Sequence, residues 1–195
     1  MAGSLPIYRV SAQNHEHSLR QTEILSNLIQ TKLRVDSIRK DPVIDFVAHP
    51  FTMILTQDCD LEQDFALRLK GANSMKLLPS VLFCEIITAE ELYSRFAKSE
   101  TEWKDRLHIP KNKNDRFHFL QVVNPSCDAL NVGLPEMGID FKRYFSVPTD
   151  EVYKRIELKD ASRRCVMRSP YLEHLSLRFA TYLGRVALPE DHLSQ

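Results

Sequence analysis

The sequence predicts an α+β fold: a small, curled antiparallel sheet or barrel with peripheral helices and a C-terminal amphipathic helix. Three observations carry that expectation. Short apolar or β-branched segments recur between turn residues, at Val43–Ala48, Phe51–Thr56, Leu77–Ile87, Phe117–Val123, Phe141–Val147 and Arg163–Met167. They do not alternate regularly with helical crossovers, which disfavours a doubly wound parallel sheet. Leu172, Leu175, Phe179, Leu183 and Val186 recur every three or four residues and give one apolar helical face.

Taken in chain order, residues 1–17 are polar and read as a flexible N-terminus. Residues 18–147 read as a β-rich, barrel-like core, and residues 148–195 as a helical segment packed on it. Residues 18–38 fit either a helix or a strand, because Leu25, Leu28, Ile29 and Leu33 have helical spacing while Ile24-Leu25 and Leu28-Ile29 suit a strand. Pro50 interrupts the run between the first two clear strands. The polar group Gln57–Asp64 opens a short helix or turn. Thr88-Ala89-Glu90-Glu91 is a capping box that starts a helix running to about Ala97. Residues 98–116 are highly charged and read as an exposed excursion. Asn124–Gly138 is rich in turn residues, Thr149 is placed to cap a short helix over Asp150–Ile156, and Ser169-Pro170 starts the last helix.

Composition narrows the function. Of 195 residues, 43% are hydrophobic, enough for a substantial core. Lys+Arg and Asp+Glu both number 26, so a formal net charge of zero argues against a general nucleic-acid coat or a membrane-surface protein. No apolar run is long enough to span a bilayer, and the first residues lack the pattern of a secretory signal. Cys59, Cys84, Cys127 and Cys165 are widely spaced, so the expectation is isolated thiols in a reducing cytoplasm. The five glycines, at 3, 71, 133, 138 and 184, never reach the spacing of a dinucleotide or P-loop turn. No cofactor is expected.

Four features bear on chemistry. Between residues 45 and 64 lie five acids and no Lys or Arg, and Asp58, Asp60, Glu62 and Asp64 offer hard oxygens to Mg²⁺ or Ca²⁺. Gln63 and Leu69 stand where a calcium loop needs glycine and glutamate, so a solvated turn at a helix start is the simpler reading. Cys59 sits between two carboxylates, which disfavour a thiolate. Its expected role is therefore structural, within the turn Gln57-Asp58-Cys59-Asp60. His118 follows Lys111, Lys113 and Arg116, a grouping in which Arg holds phosphate and His moves a proton. His15-Glu16-His17 has a metal-like pattern but lies in the flexible tail. Finally, residues 142–185 hold ten Lys/Arg against five Asp/Glu, and Arg163, Arg164, Arg168 and Arg178 suggest a basic face for RNA, an acidic partner or self-association.

Short strings then carry a resemblance: Leu55-Thr56-Gln57-Asp58-Cys59-Asp60, Arg116-Phe117-His118-Phe119-Leu120, and the tail Ser169-Pro170-Tyr171-Leu172-Glu173-His174-Leu175 with Arg178-Phe179-Ala180. With Arg185-Val186-Ala187-Leu188-Pro189 they resemble a group of uncharacterised bacterial proteins that looks distantly like the PemK/MazF-type toxins, which have an SH3-like barrel. The resemblance covers about residues 20–147 and favours a strand near 22–29. The chain departs from the toxins at Thr22, where they have glycine, and at His49-Pro50, where they have Arg-Pro, so their cleavage residues do not carry over.

The resemblance implies a toxin-like RNA-binding barrel, with endoribonuclease activity, in a bacterial defence or toxin–antitoxin setting. Arg116 would hold phosphate, His118 would be acid or base, and Asp60 would join them in one cleft. The alternative is a non-enzymatic module that docks a protein partner through its C-terminal helix or forms a homodimer. Neither reading involves a membrane.

Overall fold

The computed structural model describes residues 6–35, 41–72, 74–95 and 111–184. It is mixed α and β. Seven strands form one antiparallel sheet: β1 (Tyr8–Val10), β2 (Glu23–Val35), β3 (Pro42–Ile54), β4 (Ser80–Thr88), β5 (Phe117–Leu120), β6 (Met137–Pro148) and β7 (Ser162–Met167). Around it lie α1 (Asp58–Leu69), α2 (Ala89–Arg95), α3 (Thr149–Glu157) and α4 (Tyr171–Leu183), with a 3₁₀ turn at Pro125–Cys127. No described helix is long and apolar enough to cross a membrane.

The strand order is β1-β7-β2-β3-β4-β6-β5, so the sheet has two edges and is not closed. A closed barrel is therefore corrected to an open sheet. The sheet still curls: Tyr8 on one edge strand and Leu120 on the other belong to a single buried cluster. Period-two alternation explains the layering. Ile24, Met53 and Cys84 face that cluster, together with Leu175 and Phe179 of α4. Their neighbours Leu25, Ile54 and Phe83 face a second cluster, beneath Leu61 of α1 and Val152 and Ile156 of α3. Both sheet faces are thus covered by helices.

Several expectations change. The ambiguous stretch is β2, a strand. Pro50 does not break β3, which runs on from Pro42 to Ile54. Residues 1–17 are not simply loose, because Tyr8–Val10 pair with Cys165–Met167. The strand expected at Arg163–Met167 is β7, but it sits inside the sheet between β1 and β2, so the C-terminal segment is part of the sheet and not only packed on it. The Thr88 hydroxyl accepts from Glu91 N at 3.1 Å, as the capping box requires. Thr149 does not cap α3; its hydroxyl donates to Leu78 O at 2.8 Å. The 98–116 excursion lies largely outside the described residues.

The acidic turn has a structural explanation. Asp58 opens α1 and accepts from Arg20 Nε and Nη2 at 3.0 and 2.9 Å and from Gln21 N at 2.7 Å, which joins the end of β3 to the entrance of β2. Buried Asp64 accepts from Arg68 Nε at 2.7 Å and Leu78 N at 2.8 Å. Cys59 is exposed. Among the described residues no group of His, Cys, Asp and Glu could hold a metal ion.

Candidate functional site at the seam of the sheet

The curl brings the two sheet edges together at a cleft of about 300 Å³, closed on its third side by the start of α4. Tyr8 comes from β1, His118 and Phe119 from β5, and Tyr171 and His174 from α4. Lys111 and Gln121 lie in the segments that flank β5. Strands at opposite ends of the sheet order share this cleft only because the sheet curls.

His118 is the centre of the site. Its side chain is buried, and its ring lies 5.7 Å from that of His174 and 6.3 Å from Phe141. Burial, then the Arg178 guanidinium, then His174 push its pKa down to about 3. His118 is therefore a neutral imidazole at physiological pH, with one donor and one acceptor nitrogen. Tyr8 is also buried, and burial above all raises its hydroxyl pKa. Tyr8 Oη and His118 Nδ1 are both buried and have no hydrogen-bond partner among the described residues. An unmet buried polar group costs about 1–3 kcal/mol, so two of them, one from each sheet edge, mark a place where stability has been given up. His174 is exposed at the cleft and free to meet solvent.

The framework around the cleft is made by cations that the sequence suggested for ligands. Arg116 makes a two-point pair with buried Asp140, at 2.7 and 2.6 Å, and lies 4.8 Å over the Phe117 ring. Arg178 spans from α4 to the β5 segment, donating to the carbonyls of Asn112, Asn114 and Phe117. The Asn112 side chain accepts from Phe119 N at 2.6 Å, as a neighbouring strand would. Arg163 and Arg164 do not form a basic face. Arg163 is buried against Glu23, at 2.6 and 2.9 Å, and Arg164 against Asp128, at 2.7 Å twice. Arg168 is half-buried, with Nε 3.4 Å from Tyr8 O.

Of the three residues expected to converge, His118 lines the cleft and Arg116 braces β5 two residues away. Asp60 belongs to α1 and does not line the cleft. Sequence reasoning passed over Tyr8, which lay in a stretch read as loose. It also gave no role to His174, although the quoted tail string contains it.

A larger cleft, about 460 Å³, lies between β1 and α1, but the guanidiniums of Arg20 and Arg163 on its wall are already paired with Asp58 and Glu23. His15-Glu16-His17 is an Asn-braced turn, with His17 Nδ1 2.7 Å from Asn14 Oδ1 and Asn14 Nδ2 2.8 Å from Glu16. Comparison of the chain with protein-family models, with curated proteins and with solved structures found no match.

Proposed function

We propose that the chain binds RNA at the seam cleft and cleaves it without a metal, as a toxin-like endoribonuclease of bacterial defence or toxin–antitoxin type. The single observation that carries the reading is the pair of imidazoles, His118 and His174, at one cleft with Lys111. The open, curled sheet is also compatible with distant kinship to the SH3-like barrel of the PemK/MazF-type toxins.

The roles follow from environment. His174, exposed, takes the proton of a ribose 2′-hydroxyl. The 2′ oxygen bonds to phosphorus, the bond from phosphorus to the 5′ oxygen breaks, and that oxygen takes a proton from water, whose hydroxide recovers the proton held by His174. The products are a 2′,3′-cyclic phosphate and a 5′-hydroxyl. Lys111 offsets charge on the non-bridging oxygens. His118, held neutral, hydrogen-bonds rather than exchanging its proton, which moves the acid–base role from His118, where the sequence put it, to His174. Arg116 supports β5 through Asp140 and does not hold phosphate itself.

The test is incubation of purified protein with total RNA, with and without EDTA, alongside His174→Ala, Lys111→Ala and Arg116→Ala/His118→Ala variants. Cleavage that survives EDTA and falls about 10²–10⁴-fold in His174→Ala supports the reading. Absence of cleavage, or cleavage indifferent to His174 and His118, rejects it.

The alternative, a protein-interaction module docking through its C-terminal helix, has less support on that helix. Leu175 and Phe179 of α4 are buried in the protein's own core.

A further inference from the structure

β2 leaves its β7 partner after Ser26, and β3 meets β4 only from Phe51 onward. Between those points the two strands run as a two-stranded ribbon, paired from Leu28↔His49 out to Val35↔Pro42. Its base is held to the body by Gln30 Nε2 donating to Ser146 O and by Thr31 Oγ1 donating to Glu151, at 3.1 and 2.7 Å.

Period-two alternation sorts the ribbon into two different faces. One carries Ile29, Thr31, Leu33 and Val35 opposite Ala48, Phe46, Ile44 and Pro42. None of these eight side chains is charged. Leu33 is 72% exposed, Val35 65%, Ile44 60% and Phe46 69%. The other face carries Gln30, Lys32 and Arg34 opposite Val47, Asp45 and Val43, with Arg34 and Asp45 paired at 2.9 Å. A contiguous apolar face of this kind is unusual on a lone chain. An isolated two-stranded ribbon is also only marginally stable in water.

We propose that the apolar face of the β2–β3 ribbon packs against the same face of a second copy, giving a two-fold dimer. A face with no charge and no hydrogen-bonding side chain but Thr31 offers nothing to a nucleic acid or an acidic partner. It is complementary to itself. The formal net charge of zero leaves no overall repulsion between copies. Two such ribbons face to face form a two-layer sandwich that buries on the order of 1,000 Å² in total, the lower bound for specific association. Pro42 and Pro50 remove two backbone donors from β3, which favours face packing over edge-to-edge extension of the strand. The relation is isologous, because each residue of the patch meets the same patch.

Sedimentation velocity of the full chain across a micromolar to sub-millimolar range tests this. The wild type is expected to dimerise with rising concentration. The Ile44→Lys/Phe46→Lys variant, and independently Leu33→Asp, should stay monomeric with unchanged circular dichroism, while Lys32→Ala on the opposite face should still dimerise. A wild type that stays monomeric throughout overturns the proposal, including one that is monomeric but co-sediments with phosphatidylglycerol vesicles. A dimer untouched by both apolar-face variants overturns it too.

Discussion

Arg163 and Arg164 are consecutive in the chain, yet each holds a different carboxylate, Glu23 at the start of β2 and Asp128 in the loop before β6. Arg163 opposes Leu25 in the β2–β7 ladder and reaches Glu23 and the carbonyls of Asn14, His17 and Ser18. Arg164 is the extra residue of a bulge, since Ile24 opposes Cys165 and Leu25 opposes Arg163. It reaches Asp128, and its own carbonyl accepts from Ala129 N at 2.9 Å and Ser11 N at 3.3 Å. One dipeptide thus pins the segment before β2 and the turn-rich loop before β6.

Removing one partner of the first pair leaves an uncompensated buried charge. Arg163→Ala or Glu23→Ala should lower unfolding free energy by about 3–5 kcal/mol in urea titration. The double substitution with Leu at both positions should cost much less than the sum of the single changes, because no charge is stranded.

The second pair sets an acid limb. Burial alone would raise the Asp128 pKa, but the Arg164 guanidinium and the amides of Leu130 and Gly133 more than reverse that, so it ends below the usual aspartate value. The stability it contributes is full above the unfolded aspartate pKa and is lost as pH falls through the lower folded value. Urea midpoints measured from pH 6 downward should therefore fall less steeply in Asp128→Asn, although that variant starts lower.

His118 gives a second pH signature in the same direction. Its folded pKa, about 3, lies below the unfolded value of about 6.5. Below that unfolded value the unfolded chain takes up a proton that the folded chain refuses, so stability declines as pH drops. In heteronuclear NMR the His118 ring resonances should stay flat from pH 8 to 5. A mid-range titration would show that the ring is better hydrated than its burial indicates.

The acidic turn braces α1 against the entrance of β2. Asp58→Ala should destabilise by about 1–3 kcal/mol through the loss of Arg20 and Gln21 contacts, whereas Cys59→Ser should stay within about 0.5 kcal/mol. Adding Mg²⁺ or Ca²⁺ should leave the melting temperature unchanged.

Gly133 has φ +76° and would place a Cβ 2.7 Å from Val123 O. Both the left-handed backbone and the clash with a main-chain atom penalise any side chain there. Gly133→Ala should cost about 2 kcal/mol or more in thermal or urea unfolding, with no change at the seam cleft.

What could be read in the sequence was local. The β4, β7 and α4 segments, the Thr88 cap and the turn at Gln57–Asp60 are signalled by neighbours a few residues apart. The rest depended on distant partners. Arg163 and Arg164 look like surface cations until Glu23 and Asp128, 140 and 36 residues away, are placed against them. Pro50 breaks a strand only where its missing amide matters, and here it lies on the ribbon, outside the β3–β4 pairing. Tyr8 and His174 belong to the cleft only through the curl of the whole sheet, which no short window encodes. His118 was recognisable as a candidate, but its burial, and with it its neutral state, was not.

The place of β7 also constrains how the chain can be assembled. β1 precedes by about 155 residues the strand it pairs with, since among the described residues its ladder partner is β7. Until Ser162–Met167 leave the ribosome, β1 lacks its β7 ladder and Glu23 lacks the Arg163 guanidinium. The early hairpin of β2 and β3 can form alone, but the sheet cannot be completed from its N-terminal side. Such non-local closure predicts slow folding, with the docking of β1 coupled to the formation of β7.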